Sequence, residues 1–302
     1  MKAVVLHEYG PPSKLKYEDV PDPKPGPGEV LVAVRATSLN PIDWKMRSGA
    51  AKGLFPVTFP AILGRDVAGV VRELGEGVKD FAIGDRVFAL ANSTYAELCV
   101  VKAELLAKIP EGLDMTAAAA VPLVSITGDQ LIRNGTVAQQ GQTILLTGAV
   151  GSVGRCALFA ANEIGANVIA GVRKNQLVEA KSLGAIEAID LSDDSAIAKL
   201  GMLDGVADTV GGDIAPKLLA RIKPGGNYGS VLGPPKDAAL HPTVNIRPIG
   251  AQPDPATYVH YGEAVRDDKL VLPIDRIMPL SDAAEAQAVA EKGGVGKIIL
   301  TP

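Results

Sequence analysis

Residues 143–172 read TILLTGAVGSVGRCALFAANEIGANVIAGV, and this stretch decides the fold of the chain. The short apolar run at 144–146 is typical of a strand that is buried on both faces of a sheet. Small residues follow directly, and the pattern then predicts a helix over about 152–164 and a second strand over 167–172. This unbroken order of strand, turn, helix and strand predicts a parallel sheet with crossover helices.

The turn between the first strand and the helix carries the spacing of a dinucleotide-binding fingerprint. Ala149, Gly151 and Gly154 occupy the three glycine positions of G-x-G-x-x-G, so one glycine has become alanine and the turn stays small. In this fingerprint the backbone approaches a pyrophosphate, and the first N–H groups of the helix point at the phosphates. A lone glycine motif also occurs in ordinary loops, but its setting here favours a bound dinucleotide. The residues predicted to hold the pyrophosphate are Ala149, Gly151, Ser152, Val153 and Gly154.

The end of the second strand indicates which dinucleotide is bound. An NAD enzyme carries an Asp or Glu roughly 20 residues beyond the glycine turn, where it holds the ribose 2′-hydroxyl. That carboxylate is missing here, and Arg173 and Lys174 follow the strand instead. A guanidinium and an ammonium suit a 2′-phosphate, so the sequence predicts NADPH rather than NADH. The alternative is that both cations belong to an ordinary solvated loop.

The composition excludes several classes of protein. Of the 302 residues, 47% are hydrophobic and 21% are charged, and the net charge is -4, as in a soluble enzyme. There is no excess of basic residues for nucleic acid, and no apolar stretch approaches the length of a membrane span. Met1 is followed by KAVVLHEYG, which has the pattern of neither a secretory signal nor a transit peptide, so we expect a cytoplasmic protein.

Cysteines and histidines are too few and too scattered to indicate a metal site. Cys99 and Cys156 are the only cysteines, and a structural zinc site or a disulfide framework needs more of them or a closer spacing. We expect both to be small core residues. The histidines also lack ligand spacing, so no metal is expected. They are His7, His241 and His260.

The character of the sequence changes near residue 117. Residues 1–116 contain short β-branched runs separated by turn signals, which predicts a mostly β domain. From 117 to 266 strands and helices alternate, which predicts a doubly wound parallel-sheet domain. We expect the tail, 267–302, to return to the first domain and complete it. The predicted class is therefore α/β with two domains.

Further motifs lie in order from one end of the chain to the other. They are MKAVVLHEYG at 1–10, SLNPIDWKMRSG at 38–49, PAILGRDVAGVVRELGEGVKDFAIGDRVFA at 60–89, LGA at 183–185, DTVGG at 208–212 and GKIIL at 296–300. With these motifs the chain resembles the medium-chain dehydrogenase/reductase superfamily, in its zinc-independent quinone oxidoreductase-like branch. The resemblance implies a GroES-like catalytic domain, a central Rossmann domain and an active site in the cleft between them. It also implies a homodimer, for which residues 245–252 are the expected pairing strand.

The resemblance also implies that this chain lacks the zinc of the alcohol dehydrogenases in the superfamily. Those members bind catalytic zinc through a Cys and a Gly-His-Glu motif, whereas this chain has Asn40 at the Cys position and Gly64, Arg65 and Asp66 at the motif. The four-cysteine structural lobe is missing as well. Without a Lewis acid to stabilise an alkoxide, we expect reduction of an acceptor that is already activated, such as a quinone or an α,β-unsaturated carbonyl compound.

Candidate catalytic residues lie in the 38–49 segment. The resemblance places Asn40 and Lys45 near the nicotinamide and the substrate, and Lys45 is the expected donor to the developing oxyanion. Asn40 and Asp43 would then set the local geometry. The alternative for Lys45 is a solvated charge.

The residues near the nicotinamide end of the cofactor are also assigned by resemblance. For the glycines among these residues, the alternative is that they serve only the turns at the strand ends. The residues implied are Thr127, Gly211, Gly212, Leu232 and Gly233.

Two departures from the family concern the contact with the nicotinamide and the size of the acceptor. Asp129 replaces a Tyr that is common in relatives, and the chain is short between Gly233 and Tyr258, near the expected substrate mouth. One alternative function is an enoyl-thioester reductase, although the 38–49 segment lacks the Tyr acid common in such enzymes. Another is an NADPH-binding protein with a structural or regulatory role and little turnover.

Overall fold

The computed structural model describes all 302 residues, and the chain divides into two compact units. The first unit comprises Met1–Leu123 and Pro253–Pro302, and the second comprises Val124–Gln252. The α/β class predicted from the sequence is confirmed. None of the helices combines the length and the apolar character that crossing a bilayer requires.

The strands and helices are numbered along the chain. The strands are β1 (Lys2–Leu6), β2 (Leu15–Asp19), β3 (Glu29–Ser38), β4 (Ala61–Ile62), β5 (Asp66–Leu74), β6 (Arg86–Leu90), β7 (Leu98–Lys102), β8 (Ala107–Lys108), β9 (Thr143–Thr147), β10 (Asn167–Val172), β11 (Glu187–Asp190), β12 (Leu203–Asp208), β13 (Ile222–Ser230), β14 (Asn245–Pro248), β15 (Ile274–Pro279) and β16 (Lys297–Thr301). The helices are α1 (Pro41–Ser48), α2 (Met115–Ala119), α3 (Pro122–Gln130), α4 (Ser152–Ile164), α5 (Leu177–Ser182), α6 (Asp194–Lys199), α7 (Ala215–Leu219), α8 (Pro255–Arg266) and α9 (Ala283–Glu291).

The second unit is built on one parallel sheet with the strand order β11-β10-β9-β12-β13-β14. The order reverses between β9 and β12, which is the point where doubly wound sheets bind their ligands, beyond the carboxyl ends of the strands. Leu145 and Leu146 in β9 belong to different apolar clusters, because successive side chains of a strand point to opposite faces of the sheet. Burial of β9 on both faces is therefore confirmed.

The first unit contains a three-stranded sheet, β2-β1-β4, and a larger mixed sheet with the order β15-β16-β3-β5-β6-β8, in which β7 also pairs with β3. The tail of the chain enters this larger sheet because β16 pairs antiparallel with the end of β3, Ile299 opposite Ser38 and Leu300 opposite Thr37. This pairing brings Lys297, at the start of β16, to the end of β3. The candidate site residues of the 38–49 segment begin there.

The boundaries of the two units differ from the predicted ones at 116/117 and 266/267. The first unit keeps α2 and α8, since the Leu123 N–H after α2 donates to the Asp66 carboxylate (2.7 Å). In α8, Tyr258 meets Phe88 edge to face with ring centroids 5.9 Å apart. Both helices have an apolar face, and the sequence pattern does not indicate which sheet such a face will cover.

Candidate functional site

The glycine turn after β9 is built so that the start of α4 lies directly on the backbone. Gly148 has φ +65°, and the Gly151 N–H donates to its carbonyl oxygen (3.0 Å). A Cβ at Gly154 would lie 2.1 Å from the Gly148 oxygen and 2.7 Å from the Ala149 Cα, so only glycine fits there. Ala149 is fully buried in the apolar core, which explains why alanine at the first fingerprint position does not obstruct the turn.

The N-terminus of α4 has no side-chain cap. Its N-cap residue is Gly151, and no side chain accepts a hydrogen bond from the first turn. Arg155 in that turn donates from Nε to the Val150 carbonyl oxygen (2.9 Å) and pairs with Glu179. The backbone N–H groups of Ser152 and Val153 therefore begin the helix without a carboxylate or hydroxyl of the chain to satisfy them. Such a helix start attracts an anion.

Arg173 and Lys174 lie where the sequence places them, directly after β10 at the carboxyl edge of the sheet, and both side chains are exposed. Lys174 lines a cavity of about 590 Å³, together with Leu177 of α5 and Asp190 of β11. The Asp190 carboxylate accepts hydrogen bonds from the Ser192 N–H (2.9 Å) and hydroxyl (2.7 Å). The cavity therefore combines a cation with a carboxylate that is already hydrogen-bonded.

The predicted nicotinamide-end residues of the second unit follow β12 and β13. Gly211 and Gly212 have φ values of +65° and +72°, and a Cβ at Gly211 would lie 2.7 Å from Leu232 Cδ1. The structure therefore brings the loop of Gly211 and Gly212 against the loop of Leu232 and Gly233.

Thr127 lies on α3, next to the helix that follows the glycine turn. A Cβ at Gly128 would lie 2.6 Å from the Cys156 Cβ, so α3 packs closely on α4. Thr127 is partly exposed. Asp129, which replaces the common Tyr, forms an ion pair with Arg133 (2.9 Å) one turn later on the chain.

Asn40 is buried at the junction of β3 and α1, and both atoms of its amide are hydrogen-bonded within the first unit. Its Nδ2 donates to Asp66 Oδ2 (2.7 Å), and its Oδ1 accepts from Lys297 Nζ (2.8 Å). Its backbone N–H donates to Asp43 Oδ2 (2.8 Å). These contacts fix the start of α1 and suit Asn40 to setting the local geometry.

A buried charge network surrounds Asn40 and Asp66. Asp66 is fully buried, and it accepts from the Ser38 hydroxyl (2.5 Å) and lies 3.5 Å from the ammonium of Lys297. No three side chains of the types His, Cys, Asp and Glu are grouped so that they could hold a metal ion. Sequence reasoning missed Lys297. The available signal was a lone lysine in GKIIL, at the start of a strand whose next three residues are apolar.

Lys45 differs from Asn40, Asp43 and Arg47 of the same segment because its ammonium makes no hydrogen bond or ion pair within the chain. It lies on α1 and is partly exposed, one residue after the partly buried Trp44. A cation held on a fixed helix without an internal partner is available to an external anion.

Asp43 is fully buried, and burial raises the pKa of its carboxyl to about 7. Hydrogen bonds from the Asn40 N–H and the Tyr95 hydroxyl (2.8 Å) act in the opposite direction. Of the nearby charges, Asp66 raises the pKa and Lys297 lowers it. Near neutral pH the carboxyl is therefore divided between its two protonation states.

The Asp43→Asn variant is expected to become more stable relative to the wild type as the pH rises from about 4 to about 7. The ordinary pKa of the carboxyl is 3.8, so across this range the folded state holds a proton that the unfolded state has lost. The contribution of Asp43 to stability is then complete below pH 4 and is lost as the pH approaches 7, by at most about 1.4 kcal/mol per pH unit. Urea unfolding of both proteins at several pH values measures this difference. A difference that does not change with pH would contradict the assignment.

Two family models and several known proteins match this chain. Residues 26–111 match the family model of the alcohol dehydrogenase GroES-like domain, and residues 183–300 match that of the zinc-binding dehydrogenase. A chloroplast envelope quinone oxidoreductase homolog of Arabidopsis thaliana is 31% identical over an alignment of 324 positions, gaps included, which covers 100% of this chain and 98% of the relative.

Two further matches resemble the chain in sequence or in structure. An NADPH-dependent alkenal/one oxidoreductase of Arabidopsis thaliana is 34% identical, over 77% of this chain and 63% of its own length. Among solved structures, the quinone oxidoreductase of Coxiella burnetii superposes with a TM-score of 0.89 at 30% identity, covering 100% of this chain and 99% of that one.

Proposed function

This chain belongs to the medium-chain dehydrogenase/reductase superfamily, in its quinone oxidoreductase-like branch, and on that premise we propose that it transfers hydride from NADPH to a quinone or an α,β-unsaturated carbonyl acceptor. The observation that carries the proposal is the glycine turn. There, the uncapped N-terminus of α4 lies against a backbone that leaves no room for a Cβ at Gly154. A pyrophosphate fits such a surface because it accepts hydrogen bonds from backbone N–H groups and needs close approach.

The choice of NADPH rests on the residues that follow β10. Arg173 and Lys174 are exposed there, and the strand does not end in the carboxylate that would hold a ribose 2′-hydroxyl. A 2′-phosphate would pair with both cations, and the guanidinium can hold it through two hydrogen bonds. The name of one relative also includes NADPH.

Replacing both cations, in Arg173→Ser/Lys174→Ser, is expected to weaken NADPH binding about 10- to 100-fold and to leave NADH binding nearly unchanged. The estimate follows from about 1.5–3 kcal/mol for a hydrogen bond to a charged group. Titration of each protein with each cofactor measures the effect. Lys181→Ser removes an exposed charge from α5 and serves as the control. If the wild type bound both cofactors equally, the proposed cofactor choice would be wrong.

The chemistry assigned to the chain is stabilisation of negative charge on the acceptor. When bound, the dinucleotide would supply hydride, and the acceptor would become an enolate or a hydroquinone anion. Lys45 is the proposed donor to that anionic oxygen, because its ammonium makes no ion pair within the chain. Asn40 holds the start of α1 through Asp66, Lys297 and Asp43, so it is proposed to keep Lys45 in place. No step in this scheme requires a metal.

Turnover with a panel of acceptors tests the function against its alternatives. We expect NADPH oxidation with quinones or enones and slower oxidation with enoyl thioesters. A preference for enoyl thioesters would instead identify an enoyl-thioester reductase. Tight NADPH binding without turnover of any acceptor would favour a structural or regulatory protein.

The proposed assembly is a homodimer in the cytoplasm. The strand β14 forms one edge of the six-stranded sheet and is largely exposed, so its free backbone groups can pair with those of a second copy. Sedimentation analysis would show a monomer if this pairing does not occur. Cell fractionation tests the compartment.

A further inference from the structure

Asp208 is a buried carboxylate at the last position of β12, beside the point where the strand order of the sheet reverses. It forms no ion pair. A charge buried without a counter-ion requires strong hydrogen bonds, and Asp208 has several.

One oxygen of Asp208 joins the end of β9 to the loop that follows β12. Oδ1 accepts from the Thr147 hydroxyl (2.7 Å), the Val210 N–H (3.0 Å) and the Gly211 N–H (2.9 Å). Thr147 also accepts from the Thr209 N–H (2.8 Å), and the Thr209 hydroxyl donates to the Thr147 carbonyl oxygen (2.7 Å). The first residues of this loop are thus tied to both strand ends.

The other oxygen of Asp208 has a single partner, the hydroxyl of Tyr228 on β13 (2.5 Å). Burial, together with the negative charge of Asp208, raises the pKa of Tyr228, so the hydroxyl keeps its proton and donates. The backbone carbonyl of Asp208 also accepts from the Val231 N–H (3.2 Å), next to Leu232. Asp208 therefore holds the loops after β12 and β13.

The two loops present apolar side chains at the carboxyl edge of the sheet. Val210 is 50% exposed and Leu232 is 45% exposed, although both belong to tightly hydrogen-bonded loops. Gly211 between them has φ +65° and ψ -149°, a conformation that other residues avoid. Such an exposed apolar wall on a fixed backbone suits the flat face of a nicotinamide ring.

The geometry points to Asp208 as a positioning residue that fixes this wall for the nicotinamide half of the cofactor, an inference that rests on the proposed function. Asp208 is buried, and the effect of its side chain passes through Val210 and Gly211. None of the residues proposed to hold the pyrophosphate, 149 and 151–154, hydrogen-bonds to the Asp208 side chain, whose partners are Thr147, Val210, Gly211 and Tyr228.

The test compares NADPH with 2′-phospho-ADP-ribose, which lacks the nicotinamide ring. Asp208→Ala is expected to weaken NADPH binding about 10-fold or more, and the binding of the fragment less than about twofold. Asp208→Asn keeps an acceptor oxygen for the loop and should restore most of the NADPH affinity. Tyr228→Phe removes a buried hydrogen bond but leaves the Oδ1 contacts, so it should lower stability and keep the wild-type affinity for NADPH.

Equal weakening of both ligands in Asp208→Ala would overturn the inference, since a purely structural role predicts that result. Unchanged NADPH binding in a folded Asp208→Ala protein would overturn it as well. If Asp208→Ala does not fold, the same comparison is made with Asp208→Asn. Its affinity for NADPH is expected to fall about threefold, and its affinity for the fragment is expected to stay unchanged. A wild-type protein that binds neither ligand would instead refute the proposed function, and this inference with it.

Discussion

Replacing Gly154 with valine is expected to lower the affinity for NADPH by at least about 100-fold. The new Cβ would lie 2.1 Å from the Gly148 oxygen and 2.8 Å from the Gly148 carbonyl carbon, and neither backbone atom can yield without moving the turn. The glycine turn and the start of α4 would separate, and the phosphate contacts depend on both. Titration with NADPH measures the loss, and thermal unfolding should show a lower Tm.

The matched control for Gly154 is Gly201→Val in the same unit. A Cβ at Gly201 meets no atom within 4 Å, and its backbone is not in the left-handed region. This variant should bind NADPH as the wild type does. Wild-type affinity in Gly154→Val would show that the cofactor does not use this turn.

Replacing Lys45 with alanine is expected to lower kcat by about 10²- to 10³-fold, the usual effect of removing a donor to a developing oxyanion. The affinity for NADPH should not change, because Lys45 is not among the residues proposed to hold the cofactor. Its ammonium has no partner in the chain, so the fold should be unaffected. Steady-state kinetics with several quinones and enones measures kcat, and a direct titration measures binding.

Two further variants show whether a loss of activity is specific to the positive charge at position 45. Lys52→Ala removes an exposed charge just beyond α1 and should leave kcat unchanged. Lys45→Arg keeps a cation and should recover part of the activity. Unchanged turnover of Lys45→Ala with every acceptor would remove Lys45 from the mechanism.

Local features of the fold could be predicted from the sequence because their signals lie within a few residues. The helix predicted over about 152–164 is observed as Ser152–Ile164, since a glycine turn begins it and Gly165, with φ +79°, ends it. The unit boundaries could not be predicted in the same way. The apolar faces of α2 and α8 indicate burial, but their packing in the first unit depends on contacts distant in sequence, such as Tyr258 with Phe88.

The candidate site was predictable only in part, for the same reason. The sequence indicated Asn40, but its partner Lys297 lies 257 residues away and is brought to it by the pairing of β16 with β3. Asp208 belongs to the DTVGG motif, but the sequence indicated a binding role only for the two glycines of that motif. A carboxylate at the end of a buried strand was the signal for its role.

Transfer of deuterium from NADPH labelled at the nicotinamide C4 to an enone tests the central claim most directly. The proposed function predicts that NADPH is consumed together with the enone, that the label appears on the β-carbon of the product, and that NADH reacts far more slowly. Tight binding of NADPH with no label transferred to any enone, and no oxidation by any quinone, would contradict it.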